Sequence, residues 1–454
     1  MTFDFPSPEA TAALARRFPP GFAWGVATSS FQIEGAAHED GKGESIWDRF
    51  CRVPGAIADG SSGDVACDHV HRLEEDLDLI AALGVDTYRF SVSWPRVQPT
   101  GSGAWNARGV DFYRRLVDGL RARGIAPMMT LNHWDLPQAL QEQGGWAARE
   151  TVHRFVDYAI GLQRAVGGHC ATITTHNEPW VMAVLGHEMG IFAPGLKSRA
   201  VALQVAHHLL LSHGLALQAL RAESAKAELG IVLNMSHAVP ATDSEADRAR
   251  AVLDDGTALR WYCDPLFRGR YPDDVLAHVG ADAPVVQHGD MAAIATPMDY
   301  LGINNYSRHV ASAGAPWVAG SSGLPLTEMG WEIHAPSLTA LLLRVHRDYA
   351  PKKMLVTENG GAFPDAVGDD GRVLDVDRTR YLFDHIGAVA DAAEQGAPMA
   401  GYMVWSLMDN FEWASGYAKR FGIVHVDYAT QKRTPKASAD WYRGFLGQVR
   451  RGGD

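Results

Sequence analysis

The stretch APMMTLNHW, residues 126–134, starts as an unbroken apolar run and ends abruptly in Asn132, His133 and Trp134. One such edge could be a local accident of a loop, but the same shape recurs along the chain. It is found in FAWGVATSS (22–30), VDTYRFSVSW (85–94), ATITTHNEP (171–179) and GIVLNMSH (230–237). It returns in MDYLGINNY (298–306), MLVTENG (354–360) and GYMVWSLMDN (401–410), which brings the total to eight. The interiors of these runs are nearly continuous hydrophobic and do not alternate, which is the pattern of parallel strands buried on both faces.

Segments of helical period lie between the runs. Leu73, Leu77, Ile80 and Leu83 form one apolar stripe, stopped by Gly84; Tyr113, Leu116, Val117 and Leu120 form a second, stopped by Gly124. Val152, Phe155, Val156, Ala159 and Leu162 form a third. Strand followed by helix, repeated eight times, predicts an α/β protein built as one (β/α)₈ barrel. A doubly wound open sheet is the alternative, but it calls for a Gly-rich phosphate turn after the first strand, and GVATSSFQIEG has none. The expectation is a single catalytic domain over 1–454, with its core at about 18–447. The chain exceeds a minimal barrel of roughly 250 residues, and the excess is assigned to long loops at 37–69, 180–200 and 308–335.

Composition narrows the function. The 454 residues are 46% hydrophobic and 21% charged, with a formal net charge of −12. That balance argues against a nucleic-acid partner, which needs clustered Lys and Arg. The cysteines, Cys51, Cys67, Cys170 and Cys263, form no CxxC pair and read as reduced thiols. The N-terminal stretch lacks a continuous apolar core, so no secretory signal is expected. No run of eighteen apolar residues occurs, so no membrane partner is expected either, and the expected location is cytoplasmic.

The strand ends gather chemistry. Gln32 and Glu34 follow strand one, Arg89 closes strand two and His133 strand three. Asn177 and Glu178 end strand four, Asn304 and Tyr306 strand six, Glu358 strand seven, and Trp405 strand eight, with Glu412 and Trp413 beyond. In a parallel barrel all these ends share one face, where barrel enzymes carry out their chemistry. Glu178 precedes Pro179, which favours an extended exit from the strand. Glu358 precedes Gly360 and Gly361, whose expected part is to free the backbone. Strands four and seven are expected on opposite sides of the barrel, so the two carboxyls would face each other across its mouth. Glycosidic cleavage needs such a pair, one carboxyl protonated and the other ionised. Arg89 and Tyr306 are the natural donors to Glu358. Trp134, Trp180, Trp331, Trp405 and Trp413 add flat apolar faces suited to sugars. The histidine pairs His69/His71 and His207/His208 come without a carboxylate or cysteine arranged around them, so no metal site is assigned.

The motifs FAWGVATSSFQIEG, YRFSVSWPRV, TLNHWDLPQ, THNEPW, LGINNY, TENGG and GYMVWSLMDNFEWASGYAKRFG occur in this order from about Phe22 to Phe445. Together they resemble glycoside hydrolase family one, the β-glucosidase-type retaining enzymes. The resemblance implies Glu178 as acid/base and Glu358 as nucleophile of a double displacement through a covalent glycosyl-enzyme. It implies Gln32, His133, Asn177, Glu412 and Trp413 as hydrogen-bonders of the terminal sugar, with Trp134 in the same wall and Trp405 as platform. Arg89 and Tyr306 would orient the nucleophile, flanked by Asn304, and Trp331 would stand at the leaving-group entrance. The implied substrate is a small β-glycoside or oligosaccharide, with no cofactor.

Three residues depart from the family pattern: Asn305 where a Tyr is usual, Phe192 for a His, and Ile173 for a Trp. Glu412 with Trp413 differs from the phospho-sugar branch, and Glu178 from the thioglucosidase branch. The leading expectation is an exo-acting β-glucosidase that also takes β-galactosides or β-fucosides. A transglycosylase on the same scaffold and a catalytically silent sugar-binding relative are the alternatives. Nothing in the pattern sets the oligomeric state.

Overall fold

The computed structural model describes residues 4–223 and 225–451. The eight apolar runs are the strands of a closed parallel barrel. They are β1 (Ala23–Ala27), β2 (Thr87–Ser91), β3 (Ala126–Asn132), β4 (Thr172–Asn177), β5 (Glu228–Asn234), β6 (Tyr300–Asn304), β7 (Met354–Asn359) and β8 (Met399–Trp405). Each pairs in parallel with its sequence neighbours, and β8 closes on β1 with Val26 opposite Val404. Burial runs along the strands almost without a break, as two-sided packing requires.

The longer helices alternate with the strands. They are α1 (Leu73–Leu83), α2 (Ala107–Ala122), α3 (Arg149–Ala165), α4 (Arg199–Ala222), α5 (Glu245–Asp255), α6 (Pro336–Tyr349), α7 (Val376–Glu394) and α8 (Ala437–Arg451). The apolar stripes of α1 and α2 are buried as predicted. In α3, Val156 is only half-buried and Tyr158 fills the stripe, its hydroxyl donating to the Leu131 carbonyl at 2.9 Å. Gly84 ends α1 at φ +73°, a left-handed cap that glycine adopts without steric cost. By length and composition α4 could cross a membrane, but 72% of its apolar window is buried inside the protein. Phe18, Phe22, Trp24 and Phe445 cluster around the start of β1, at the end of the barrel away from the polar strand ends.

The strands are shorter than the apolar runs suggested. The β1 ladder ends where the Thr28 N–H donates to the Arg89 carbonyl at 2.9 Å. Beyond it Ser30–Ile33 coils into a helical turn, so Gln32 stands on that turn and not on a strand end.

The long loop after β8 carries Glu412 and Trp413, and a buried ion network anchors it. Lys436, fully buried, donates to Asp409 at 2.7 Å and to Asp365. Arg420 reaches the other Asp409 oxygen at 2.6 Å, and Arg378 forks onto Asp365 at 2.8 and 2.9 Å. Buried charges persist only when paired in this way. Lys436→Met leaves two buried carboxylates short of a cation. It is expected to destabilise the protein by about 3–5 kcal/mol, read as a lower urea midpoint. An unchanged midpoint would show that the network is not what holds the loop.

Candidate active site

Register brings the strand ends to one rim. Ala27 lies opposite Arg89 on one side and Trp405 on the other, Asn132 opposite His176, and Asn304 opposite Glu358. β4 and β7 are separated by β5 and β6, so they are not diametrically opposed as expected. That spacing gives β6 a part the sequence did not suggest, because its last residue, Asn304, bridges the two.

Glu358 holds a donor at each oxygen. The Arg89 guanidinium donates to Oε1 at 2.6 Å and the Tyr306 hydroxyl to Oε2 at 2.5 Å, so both oxygens are fixed in place. Arg89 is itself fully buried, and its other arm donates to Asn177 Oδ1 at 2.6 Å. Asn304 Nδ2 donates both to that oxygen at 3.0 Å and to Glu178 Oε1 at 2.7 Å. Thr357 fixes the orientation of Asn304 by donating to its Oδ1 at 2.7 Å. Glu358, Arg89, Asn177, Asn304 and Glu178 thus form one continuous chain of contacts.

The same chain sets protonation states. Burial, and next the charge of Glu358, push the Glu178 carboxyl up to about 8. Glu412, half-buried with no side-chain partner among the described residues, is likewise pushed to about 8 by burial and Glu358. Burial and the Arg89 charge hold His133 well below its ordinary value, so its ring is neutral. Asn177 Oδ1 accepts from Arg89, so Asn177 Nδ2 must donate to His133 Nε2, 3.1 Å away. The ring proton of His133 is then on Nδ1, which has no partner among the described residues.

A cavity of about 610 Å³ fills the mouth. Of the sequence-predicted site residues, His133, Trp134, Glu178, Asn304, Tyr306, Trp331, Glu358, Trp405, Glu412 and Trp413 line it. Arg89 and Asn177 stand behind the wall as supports. Gln32 also falls short of it: its amide donates to Asn410 at 2.9 Å and the Phe411 carbonyl at 2.8 Å, and Ser29 donates to its oxygen at 2.6 Å. His133 stacks between Trp405 and Trp413, each at 6.0 Å, and Trp134 meets Trp413 at 4.4 Å. Trp331 packs on Tyr306 at 5.4 Å, extending the aromatic lining outward. A larger cavity of about 760 Å³ lies at the other end, around Phe22, Trp24 and Thr87, far from the paired carboxyls.

Several local expectations are corrected. Glu178 does not leave its strand extended; its φ is +49°, on the left-handed side, and the chain turns at once into π-helical Val181–Glu188. Trp134 and Trp413 share that rare conformation, at +77° and +47°. Gly360 and Gly361 do not serve by positive φ. A Cβ on Gly360 would stand 1.8 Å from the Trp405 carbonyl oxygen, so close approach is what excludes a side chain. Glu34 turns away from the mouth to pair with Arg96 at 2.7 Å. Asn305 also turns away, donating to the Met235 carbonyl at 2.8 Å, whereas Phe192 is on the cavity wall. His69 and His207 pair with Asp76 and Asp290, and among the described residues no cluster could hold a metal ion.

Other wall residues escaped the sequence reading. Asn234 ends β5 and was legible on the same rule as its neighbours. Arg250 and Asp254 come from α5, which no strand-end rule reaches.

A closed barrel whose mouth sets a proton-holding carboxyl beside a cation-held carboxylate defines a glycoside hydrolase. The chain belongs to glycosyl hydrolase family 1, whose sequence pattern matches residues 14–449. Beta-glucosidase A of Acetivibrio thermocellus is 45% identical over 439 residues, spanning 94% of this chain and 98% of that protein. A bifunctional beta-D-glucosidase/beta-D-fucosidase of Bifidobacterium breve is 44% identical over 457 residues, 94% of this chain and 98% of that one. Among solved structures, the Thermotoga maritima family 1 β-glucosidase in complex with isofagomine lactam superposes with a TM-score of 0.92 at 44% identity, covering 95% and 99% of the two chains.

The Glu178 carboxyl must carry its proton to act as an acid, so kcat/KM is expected to fall as pH rises through about 8. The charge of Glu358 contributes to that elevation, so Glu358→Gln moves the Glu178 titration to lower pH. A ¹³C-glutamate NMR titration reads it directly, and an unmoved Glu178 would break the electrostatic link between the two.

Proposed function

We propose that this protein is a retaining, exo-acting β-glucosidase that also accepts β-fucosides and β-galactosides. The observation that carries the reading is the asymmetry of the two carboxyls: Glu178 is raised to about 8, while both oxygens of Glu358 hold donors. Glu358 attacks the anomeric carbon as Glu178 protonates the departing oxygen. Glu178 then takes a proton from water, which displaces Glu358 and releases the sugar with its β configuration. This route places the carboxyls about 5–5.5 Å apart.

His133, Trp405, Glu412 and Trp413 hold the terminal sugar, with Trp134, Asn177 and Gln32 supporting them. Asn304 and Tyr306 orient the carboxyls, and Trp331 borders the leaving group. The carbohydrate-sized cavity and the names of the relatives support a small glycoside as substrate. The unpaired cysteines suit a cytoplasmic location.

The test is the anomer of the first-formed product by ¹H NMR, on an aryl β-glucoside. β-Glucose ahead of mutarotation is expected; α-glucose first would mean inversion. Glu358→Ala should lose turnover, and azide should restore it as α-glucosyl azide. Glu178→Ala should cost about 10²–10⁴-fold on poor leaving groups and far less on activated aryl ones. Equal losses across leaving groups would remove Glu178 from the acid role.

A further inference from the structure

The cavity of about 760 Å³ at the far end of the barrel takes no part in the chemistry of the mouth. Ala23, Thr87, Ala126, Thr172 and Glu228, the opening residues of β1 to β5, all line it, as does Ala400 near the start of β8. The layers inside such a barrel are ordinarily packed with bulky branched side chains. Three alanines in the lowest layer leave a recess instead. Met128, Leu355 and Met403 fill the next layer; all three are buried, and they line the recess but not the mouth cavity. Two segments close over the other side, with Phe18 and Phe22 before β1 and Leu446 and Val449 on α8. A mainly apolar and aromatic cavity with a few polar groups is the make-up of a small-molecule site, and its volume falls within the usual range of about 300–1,000 Å³.

The polar groups of the recess sort by charge. Glu228 accepts from Lys353, and Asp86 accepts from Arg450 at 3.4 Å and from the Trp24 backbone N–H at 3.2 Å. Both acids that line the recess are therefore paired. What remains are donors. Arg16 stands exposed at the rim, and among the described residues its side chain forms no hydrogen bond or ion pair. Trp24 is 2% exposed, and its indole N–H has no acceptor among the described residues; the buried Thr172 hydroxyl has no partner there either. Three cations against two acids, unmet donors and aromatic faces together call for a flat apolar ligand that carries an anionic acceptor.

We propose that this recess binds a small aromatic carboxylate, its ring system in the hollow left by the alanines and its carboxylate at Arg16. The site is separate from the mouth and does not depend on the glucosidase reading.

The experiment titrates the protein with β-naphthoate and with its neutral amide by isothermal calorimetry, in the wild type, Arg16→Glu and Ala126→Phe. Saturable one-to-one binding of the acid is expected in the wild type, with a melting temperature that rises with its concentration. Arg16→Glu, a change at an exposed position, should weaken the acid about fivefold and leave the amide unchanged. Ala126→Phe fills the recess and should abolish binding of both, with an unaltered circular dichroism spectrum to show that the variant is folded. Should that variant not fold, the acid-against-amide comparison in Arg16→Glu still decides the matter. The absence of saturable binding, equal losses of acid and amide in Arg16→Glu, or binding that a folded Ala126→Phe retains would each overturn the site. So would competitive inhibition of aryl β-glucoside turnover at the same affinity, which would put the naphthoate in the mouth.

Discussion

A guanidinium with no access to water must find its counter-charge inside the protein, and Arg89 finds it in Glu358. Leaving either group unpaired would cost several kcal/mol, so the register of the strands that carry them is constrained as strongly as the core packing. β2 must present Arg89 at the height where β7 presents Glu358, and β4 must bring Asn177 to the second arm of the guanidinium. Arg89 Nε finds no partner among the described residues, a small residual cost beside what the two arms recover. Every other feature of the mouth builds outward from this buried pair: the tautomer of His133, the placement of Asn304 and the environment of Glu178.

The same pair sets the charge balance of the mouth. Of the carboxyls that line the cavity, Glu178, Glu358 and Glu412 act on one another, and Arg89 directly compensates only Glu358. The other two respond as buried acids near a fixed negative charge do, by holding their protons toward neutral pH. Arg89, with Tyr306 on Glu358 and Asn304 on Glu178, therefore sets an acid and a carboxylate side by side.

The barrel was legible because two-sided burial leaves an unbroken apolar run, and such a run ends visibly where polar groups take over. That rule found His133, Asn177, Glu178, Asn304 and Glu358, all at or beside strand ends, but it put Arg89 at the close of β2, whereas Arg89 sits in the middle of that strand. It placed Gln32 one element too early, because the turn at Ser30–Ile33 is too short to show a helical period. It also read Glu178 as extended from the following proline, a local preference that the packing of the loop overrode. Arg250 and Asp254 were hidden for a different reason. On α5 they look like an ordinary exposed i,i+4 ion pair, and only the loops between strands bring them to the cavity. The specific roles of Glu412 and Trp331 came from motif resemblance, since neither lies on a strand.

The left-handed backbone at Trp134, Glu178 and Trp413 has a consequence for engineering. Each non-glycine residue held there costs on the order of 1–3 kcal/mol. At Trp134 and Trp413 the buried indole outweighs that cost, since removing one forfeits about 3–5 kcal/mol of packing. Glu178 has no such compensation, because its carboxyl is itself an acid buried against its preference. Selection for stability alone would thus discard the Glu178 carboxyl first, so thermostable variants of this enzyme should be sought among α-helical surface positions, with this residue held fixed.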